Sequence, residues 1–278
     1  MCFFYLLKRL LCSTNSHKYI ISSNRENNDI IYDNIMYDMN RPSNNAGIYP
    51  ISRLDVVKKI VTWNVSELLC FSTPHSRSKI VDILKELNAD CIFLQGVYND
   101  TSREIIINSL KDLYQYYITG DLYNQFKVCE HSGLLVISKY PIFYKKFISF
   151  SEITSFPDKF TNKGCLYLTI NEKNFAIVDC PYYKQENLED CFNLINNSTP
   201  FSEYIVVGTL QHKNASQFFG QLSNNTTNTN SRNTISDYIL SLYNEFYLTI
   251  MVKHINEKYV SYNYPVIGFI KTEEFYDL

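Results

Sequence analysis

The pattern of apolar and polar positions divides the chain near residue 54. Residues 13–53 are polar and irregular, with stretches such as "SSNRENND" and "MNRPSNNAG" that show neither helical nor strand periodicity. From "DVVKKIVTWNV" onward the pattern becomes regular. We therefore predict a partly flexible N-terminal extension over residues 1–53 and one folded domain over residues 54–278.

Short apolar runs bounded by turn residues dominate the predicted domain and are typical of buried strands. Two segments instead have helical spacing, residues 76–88 with Ser76 or Ser78 as the N-cap, and residues 102–117. A polar, low-complexity stretch over residues 222–233 predicts a mobile loop. The predicted strands are "KKIVTWNV", "DCIFLQGV", "SGLLVISKYPI", "KGCLYLTI", "FAIVDC", "YIVVG", "EFYLTIMVKH" and "YPVIGFI". Strands outnumber helices, and several are apolar throughout, which favours an α/β fold of two packed sheets flanked by helices.

Composition and charge narrow the classes of partner. The chain is 45% hydrophobic and 15% aromatic, as expected of a packed globular protein. Its net charge of −2 offers no broad basic face, so we expect no nucleic-acid partner. No run of about 20 apolar residues is present, so no transmembrane segment is predicted.

The cysteines and the residue usage bear on where the protein acts. Eight cysteines are scattered without a CxxC pair, which is typical of free thiols in a reducing compartment. We therefore predict the cytoplasm, or the cytoplasm of a host cell. The 23 tyrosines, with abundant Asn and Ile, are similar to the AT-biased coding of some DNA viruses.

Taken in order, several stretches resemble the endonuclease/exonuclease/phosphatase superfamily, and most closely its neutral sphingomyelinase branch. The similar stretches are "TWNV", "ADCIFLQGV", "SGLLVISKYPI", "DKFTNKGCLY", "YIVVGTLQ", "SDYIL" and "VSYNYPVIGF". The resemblance covers roughly residues 55–271. It implies a DNase I-like fold, a four-layer sandwich, and a Mg²⁺-dependent phosphodiesterase chemistry that uses a His-Asp pair.

Measured against that resemblance, the site of this chain is degenerate. Asn64 matches the metal-facing Asn, but Gly96 stands where the resemblance implies an acidic metal ligand. A glycine offers no oxygen ligand to a hard cation such as Mg²⁺. Uncharged or non-basic residues also replace the implied His, Asp, Asn and Asp-His, namely Pro181, Thr209, Gln211, Tyr262 and Asn263.

Some polar residues of the resemblance remain. Asp158, Asn162 and Lys163 keep the spacing of a sphingomyelinase Asp/Lys pair and form a candidate residual anion or substrate site. The simpler interpretation is that Asn162 and Lys163 belong to a turn before a strand. A replacement nucleophile at Cys180 would need a nearby base such as His212, and a structural role for that thiol is the favoured alternative.

These observations favour a catalytically inactive, sphingomyelinase-like phosphodiesterase homologue, a pseudoenzyme, retained to bind an unknown protein or lipid partner and needing no cofactor. The reason is that several catalytic elements are missing together. A general base contributes about 10²–10⁴ in rate and a metal several kcal/mol more, so the loss of both leaves almost no ordinary mechanism. The alternative is an active Mg²⁺-dependent phosphodiesterase of the sphingomyelin phosphodiesterase or phospholipase C type. A nuclease is the weaker alternative, since the chain is not basic.

Overall fold

The computed structural model describes the greater part of the predicted domain and two residues before it. The described residues are 37–38, 57–65, 74–98, 100–120, 132–150, 163–180, 185–210, 229, 235–241, 247–253, 261 and 263–271. The predicted loop over 222–233 therefore lies outside them, except for residue 229.

The described residues form twelve strands and three helices. The strands are β1 Tyr37–Asp38, β2 Lys59–Asn64, β3 Cys91–Gln95, β4 Tyr116–Thr119, β5 Leu135–Ser138, β6 Ile142–Ser149, β7 Gly164–Ile170, β8 Lys173–Asp179, β9 Ile205–Thr209, β10 Asp237–Ser241, β11 Tyr247–Val252 and β12 Val266–Lys271. The helices are α1 Pro74–Leu87, α2 Asp100–Leu110 and α3 Gln185–Ser198. Each predicted apolar run contains or overlaps one of these strands.

The strands are arranged in two mixed sheets. Within the described residues, sheet A has the order β1-β4-β5-β3-β2-β12-β11 and sheet B the order β10-β9-β8-β7-β6. Two neighbouring pairs are parallel, β2 with β3 and β8 with β9, and the other pairs are antiparallel. A helix follows the first strand of each parallel pair, as a parallel connection requires. The carboxyl ends of each parallel pair therefore lie at one edge of the sheet.

Three apolar clusters show that the sandwich has four layers, as the resemblance implies. The central cluster lies between the sheets, where the rings of Phe93 and Phe175 are 5.0 Å apart. A second cluster packs α1 and α2 on the outer face of sheet A, around Trp63 and Leu84. A third packs α3 on the outer face of sheet B, around Phe192. Strands β3, β5 and β9 are buried along their whole length, which explains why they are largely apolar.

Two details of the helices differ from the prediction. Helix α1 begins at Pro74, so Ser76 and Ser78 lie inside it and do not cap it. Proline suits the first turn because its missing N–H is unsatisfied there in any case. Helix α2 ends at Leu110, and the predicted helical residues Tyr116 and Tyr117 belong to strand β4.

Residues 37–38 lie inside the predicted N-terminal extension and pair with the edge of sheet A. Tyr37 is opposite Tyr117 and Asp38 is opposite Tyr116 in an antiparallel ladder. Among the helices of the described residues, none is long and apolar enough to span a membrane.

Candidate functional site

Alternation along the strands brings polar side chains together between the two sheets. In β9, Val206 and Leu210 pack in the cluster beneath α3, so Thr209 points the other way, toward sheet A. In β8, Val178 and Cys180 likewise face α3, so Asp179 points inward. Asn64 ends β2 on the opposite sheet. The two parallel strand pairs therefore deliver their last polar residues to one shared region.

A chain of hydrogen bonds joins the two sheets in this region. The Nδ2 of Asn64 donates to the Oγ1 of Thr209 over 2.9 Å. The Oγ1 of Thr209 in turn donates to the Oδ1 of Asp237 over 2.6 Å. Since the one hydroxyl proton of Thr209 goes to the carboxylate, its oxygen can only accept from Asn64. The amide of Asn64 therefore donates its N–H to Thr209 in this chain of hydrogen bonds.

Asp237 is the most deeply enclosed member of this chain. It is fully buried, and its Oδ2 accepts a second hydrogen bond from the Oγ of Ser236 over 2.7 Å. Its backbone N–H donates to the Oγ1 of Thr229 over 3.2 Å. Burial raises the pKa of Asp237 to about 7, and the nearby Asp179 carboxylate also raises it, while the hydroxyls of Thr209 and Ser236 lower it. The carboxyl group is therefore poised between its two charge states near neutrality.

Asn263 braces the end of β2. Its Nδ2 donates to the backbone oxygen of Asn64 over 3.3 Å, and the hydroxyl of Ser261 donates to the same oxygen over 2.9 Å. The indole N–H of Trp63 donates to the backbone oxygen of Asn263 over 2.9 Å. An amide in this position can hold the strand end in place but has no basic nitrogen with which to take up a proton.

A second buried carboxylate, Asp179, forms a bridge beside the first. The hydroxyl of Tyr98, which follows β3, donates to its Oδ2 over 2.9 Å. The Nζ of Lys163 lies 3.6 Å from its Oδ1, an ion-pair distance that is too long for a direct hydrogen bond. The side chain of Asp179 is 1% exposed and that of Lys163 is 14% exposed. Lys163, predicted as a candidate anion-binding residue, is thus already paired with an internal anion.

Gly96 follows the last residue of β3 in a conformation that favours glycine. Its φ is +78°, in the left-handed region that side chains with a Cβ adopt at a cost. The neighbouring Val97 donates its N–H to the backbone oxygen of Gly133 over 2.9 Å, which fixes the turn. The local backbone has therefore adapted to glycine, and an acidic residue at position 96 would introduce strain.

Cys180 lies on the other face of sheet B from the polar cluster. It packs with Cys191 in the apolar cluster beneath α3, and both thiols are buried. Burial, followed by the contact with Cys191, raises the pKa of Cys180 well above its usual value. A thiol that remains protonated and lies on the opposite face of the sheet from the polar cluster is unsuited to nucleophilic attack. His212, its suggested base, lies outside the described residues.

The structure thus brings together some of the predicted site residues and leaves others undescribed. Asn64 and Thr209 are in direct contact, and Asn263, Gly96 and Lys163 lie at the ends of strands in the same region. The remaining predicted residues lie outside the described part of the chain, namely Asp158, Asn162, Pro181, Gln211 and Tyr262.

Tyr98, Asp179, Thr229 and Ser236 are among the site residues that were not predicted from the sequence. Asp179 had a usable signal, because a charged residue ends the otherwise apolar strand "FAIV". Such a buried charge requires a partner. The other three carry no signal of their own, and Thr229 lies within a low-complexity stretch.

The described residues do not match the donor set that a Mg²⁺ ion requires. Such an ion prefers oxygen ligands and at least one carboxylate free to coordinate. Here the Asn64 amide donates its N–H to Thr209, Gly96 has no side chain, both oxygens of Asp237 accept hydroxyl protons, and Asp179 is paired with Lys163. Within the described residues, no group of three or more His, Cys, Asp or Glu side chains could hold a metal.

Comparison with known families identifies the class to which this fold and site correspond. The profile of the endonuclease/exonuclease/phosphatase family matches residues 61–208, more than half of the chain. The chain belongs to this family. No curated protein sequence matches it.

Solved structures with low sequence identity share the fold. A beta toxin variant from Staphylococcus aureus with bound magnesium ions aligns with a TM-score of 0.60 at 17% identity, over 78% of this chain and 100% of that chain. Sphingomyelinase C from Streptomyces griseocarneus aligns with a TM-score of 0.56 at 17% identity, over 78% and 100%. A protein of unknown function from Enterococcus faecalis gives a TM-score of 0.61 at 11% identity, over 77% and 100%. The predicted DNase I-like fold, related to that of the sphingomyelinases, is confirmed.

Proposed function

We propose that this chain is a catalytically inactive homologue of the sphingomyelinase-like phosphodiesterases, retained for binding a protein or lipid partner. The observation that supports the proposal best is the direction of the hydrogen bonds from Asn64 through Thr209 to Asp237. These groups satisfy one another across the two sheets. The Nδ2 of Asn64, the hydroxyl of Thr209 and both oxygens of Asp237 each take part in a hydrogen bond within the fold.

The other site residues in the described part of the chain offer no ordinary route to phosphodiester hydrolysis. Asn263 is an amide, so it cannot take a proton from an attacking water molecule. Lys163 is paired with Asp179, which reduces the charge available to a phosphoryl oxygen. Asp237 titrates near neutrality, yet it is fully buried and already accepts two hydroxyl protons, so an attacking water has no described access to it.

The choice of the sphingomyelinase branch rests on the sequence and on the structural neighbours. The "DKFTNKG" stretch is similar to that branch, and two of the neighbours are a sphingomyelinase C and a beta toxin. An acidic chain with a net charge of −2 gives little support to a nucleic-acid substrate. A lipid surface or a protein is therefore the proposed partner. The scattered cysteines, typical of a reducing compartment, favour the cytoplasm or the cytoplasm of a host cell as the site of action.

A hydrolysis panel tests the proposal. The purified 278-residue chain is incubated with sphingomyelin vesicles, with a simple phosphodiester, and with single- and double-stranded DNA. Each substrate is tested with millimolar Mg²⁺, Mn²⁺ or Ca²⁺. We expect no turnover above that of a heat-inactivated sample with any substrate. Turnover that is lost in Asn64→Ala would show that the site is a live phosphodiesterase, and the substrate cleaved would identify its branch.

Retention of a binding role needs its own measurement. Co-sedimentation with sphingomyelin vesicles and with phosphatidylcholine vesicles tests a lipid partner directly. Selective sedimentation with the sphingomyelin vesicles would support the lipid form of the proposal. Equal recovery in the supernatant with both kinds of vesicle would exclude it and leave a protein partner.

A further inference from the structure

Asp179 is a buried carboxylate that needs a compensating charge. Its side chain is 1% exposed at the inner end of β8. An ionised carboxylate at that depth persists only when it is paired and hydrogen-bonded. The hydroxyl of Tyr98 supplies one hydrogen bond over 2.9 Å but carries no charge. The positive charge must come from elsewhere in the site.

Lys163 brings that charge into the interior of the site. Its Nζ lies 3.6 Å from the Oδ1 of Asp179, and 14% of its side chain is exposed. Its backbone oxygen accepts a hydrogen bond from the N–H of Phe150 over 2.9 Å, which ties the residue to the end of β6 just before β7 begins. The lysine is therefore positioned by the sheet itself and aimed inward.

Asp179 and Asp237 form part of an acidic row across sheet B. In register, Thr209 is opposite Asp179 on one side and opposite Asp237 on the other. The two acids are thus separated by two strand spacings, about 10 Å between Cα atoms, on the same face. The Asp179 carboxylate raises the pKa of Asp237. Carboxylate oxygens are the ligands that divalent cations prefer.

We propose that the ammonium of Lys163 takes the electrostatic place of a divalent cation in this row, so that the chain's own lysine closes the site to metal ions. The inference deepens the proposed function and depends on it, since it explains how the site remains stable without an ion. It assigns Lys163 a role as an internal counter-ion. A residual anion-binding role for this lysine is then secondary, because its ammonium group is already paired with the Asp179 carboxylate.

Replacing the lysine with a neutral side chain of similar length tests the proposal. Lys163→Met removes the ion pair between Lys163 and Asp179. We expect its melting temperature in EDTA to fall by about 6–20 °C, as for other broken buried pairs. Millimolar Mg²⁺, Ca²⁺ or Mn²⁺ should restore at least about 5 °C in a saturable manner, because an ion that binds the native state stabilises it.

Matched variants separate charge from packing. Lys163→Met combined with Asp179→Asn removes both charges, so it should be more stable than the single variant in EDTA and should not respond to cations. Lys163→Arg keeps the charge and should also not respond. Lys146→Met, which removes a donor to the backbone oxygen of Ser198 at the end of α3, serves as the control outside the site.

The outcomes distinguish this inference from the proposed function. A saturable rise in the melting temperature of the wild type with any of these ions would overturn both. The inference alone would be overturned if the ions change neither the melting temperature of the wild type nor that of a folded Lys163→Met variant. If Lys163→Met does not fold in EDTA, its refolding from denaturant is measured by circular dichroism. Recovery only with a cation would support the inference, and failure with every cation, while the double variant folds, would overturn it.

Discussion

At the scale of single residues, the hydroxyl of Thr209 joins the two sheets because it can accept and donate at once. It accepts from the amide of Asn64 and donates to the carboxylate of Asp237. A carboxylate, which the resemblance implies at this position, can accept but cannot donate when ionised. It would also repel Asp237 at close range. Threonine at this position is therefore an uncharged hydrogen-bonding link between Asn64 of one sheet and Asp237 of the other.

This role predicts that Thr209→Val destabilises the protein although the shapes of the two side chains are nearly the same. The variant removes the donor to a buried carboxylate and the acceptor of a buried amide, so we expect a loss of about 1–3 kcal/mol in the free energy of unfolding. Thr209→Ser keeps the hydroxyl and should lose less. Denaturant titrations measure both, and equal losses in the two variants would show that the methyl group matters more than the hydrogen bonds.

The raised pKa of Asp237 predicts that the stability of the protein falls as the pH rises toward neutrality. Its pKa is raised from 3.8 to about 7 in the folded state, so between these values the folded chain binds more protons than the unfolded chain. Stability from this residue is fully present below pH 3.8 and is lost as the pH rises toward 7. The loss is on the order of a few kcal/mol.

Asp237→Asn should flatten that dependence, because an amide does not titrate. Unfolding free energies measured at a series of pH values, from mildly acidic to slightly alkaline, give the comparison. Asp82→Asn, at an exposed position of α1, is the matched control and should keep the slope of the wild type. If Asp237→Asn also keeps the wild-type slope, the proton that is taken up does not reside on Asp237.

The sequence alone predicted part of the site at this scale. Asn64, Thr209, Asn263 and Lys163 were identified because each sits in a stretch similar to a family motif, and motif order fixes the strand end on which each lies. Asp179 could not be placed in this way, because its partners come from distant loops. A contact between residues separated by 81 positions, such as Tyr98 and Asp179, depends on the packing of two sheets and leaves no local pattern.

At the scale of elements, the two parallel strand pairs build the site. β2 and β3 are connected through α1, and β8 and β9 through α3, so the two strands of each pair end at one edge of their own sheet. The hydrogen bond from Asn64 to Thr209 shows that these two edges face each other. The alternation of these strands was readable from the sequence. The boundary of α2 was not, since "LYQYY" continues an apolar pattern that suits either a helix or a strand. Tertiary pairing with β5 decided the outcome in favour of a strand.

Gly208 allows β8 and β9 to lie side by side. Its φ is +129°, and a Cβ at this position would lie 2.1 Å from the backbone oxygen of Val178. We expect Gly208→Ala to cost about 3 kcal/mol or more, since both the backbone and its neighbour must move. The same substitution would displace Thr209 and Asp179, and with them the two carboxylate networks.

Gly268→Ala is the matched control for this prediction. Its φ lies outside the left-handed region, and its added Cβ would meet the Cδ1 of Ile239 at 2.9 Å, an atom at the end of a flexible side chain. A loss of about 1 kcal/mol is expected there. Thermal or denaturant unfolding ranks the two variants, and a Gly208→Ala protein as stable as Gly268→Ala would contradict the account of the strand pair.

At the scale of the whole molecule, the four-layer fold follows from strands that are apolar on both faces. Such strands require cover on both sides, and two sheets facing each other with helices outside supply it. This reasoning needs no particular pairing, which is why the layers could be predicted from the sequence. Strand order could not, because long-range pairing is selected by packing between the sheets.

For the whole molecule, we propose that this member of the endonuclease/exonuclease/phosphatase family does not bind the ion that the resemblance implies. Isothermal titration of the wild type with Mg²⁺, into the millimolar range and with Asn64→Ala alongside, tests it most directly. The account predicts no saturable heat and identical traces for the two proteins. A saturable isotherm in the wild type that Asn64→Ala abolishes would contradict it.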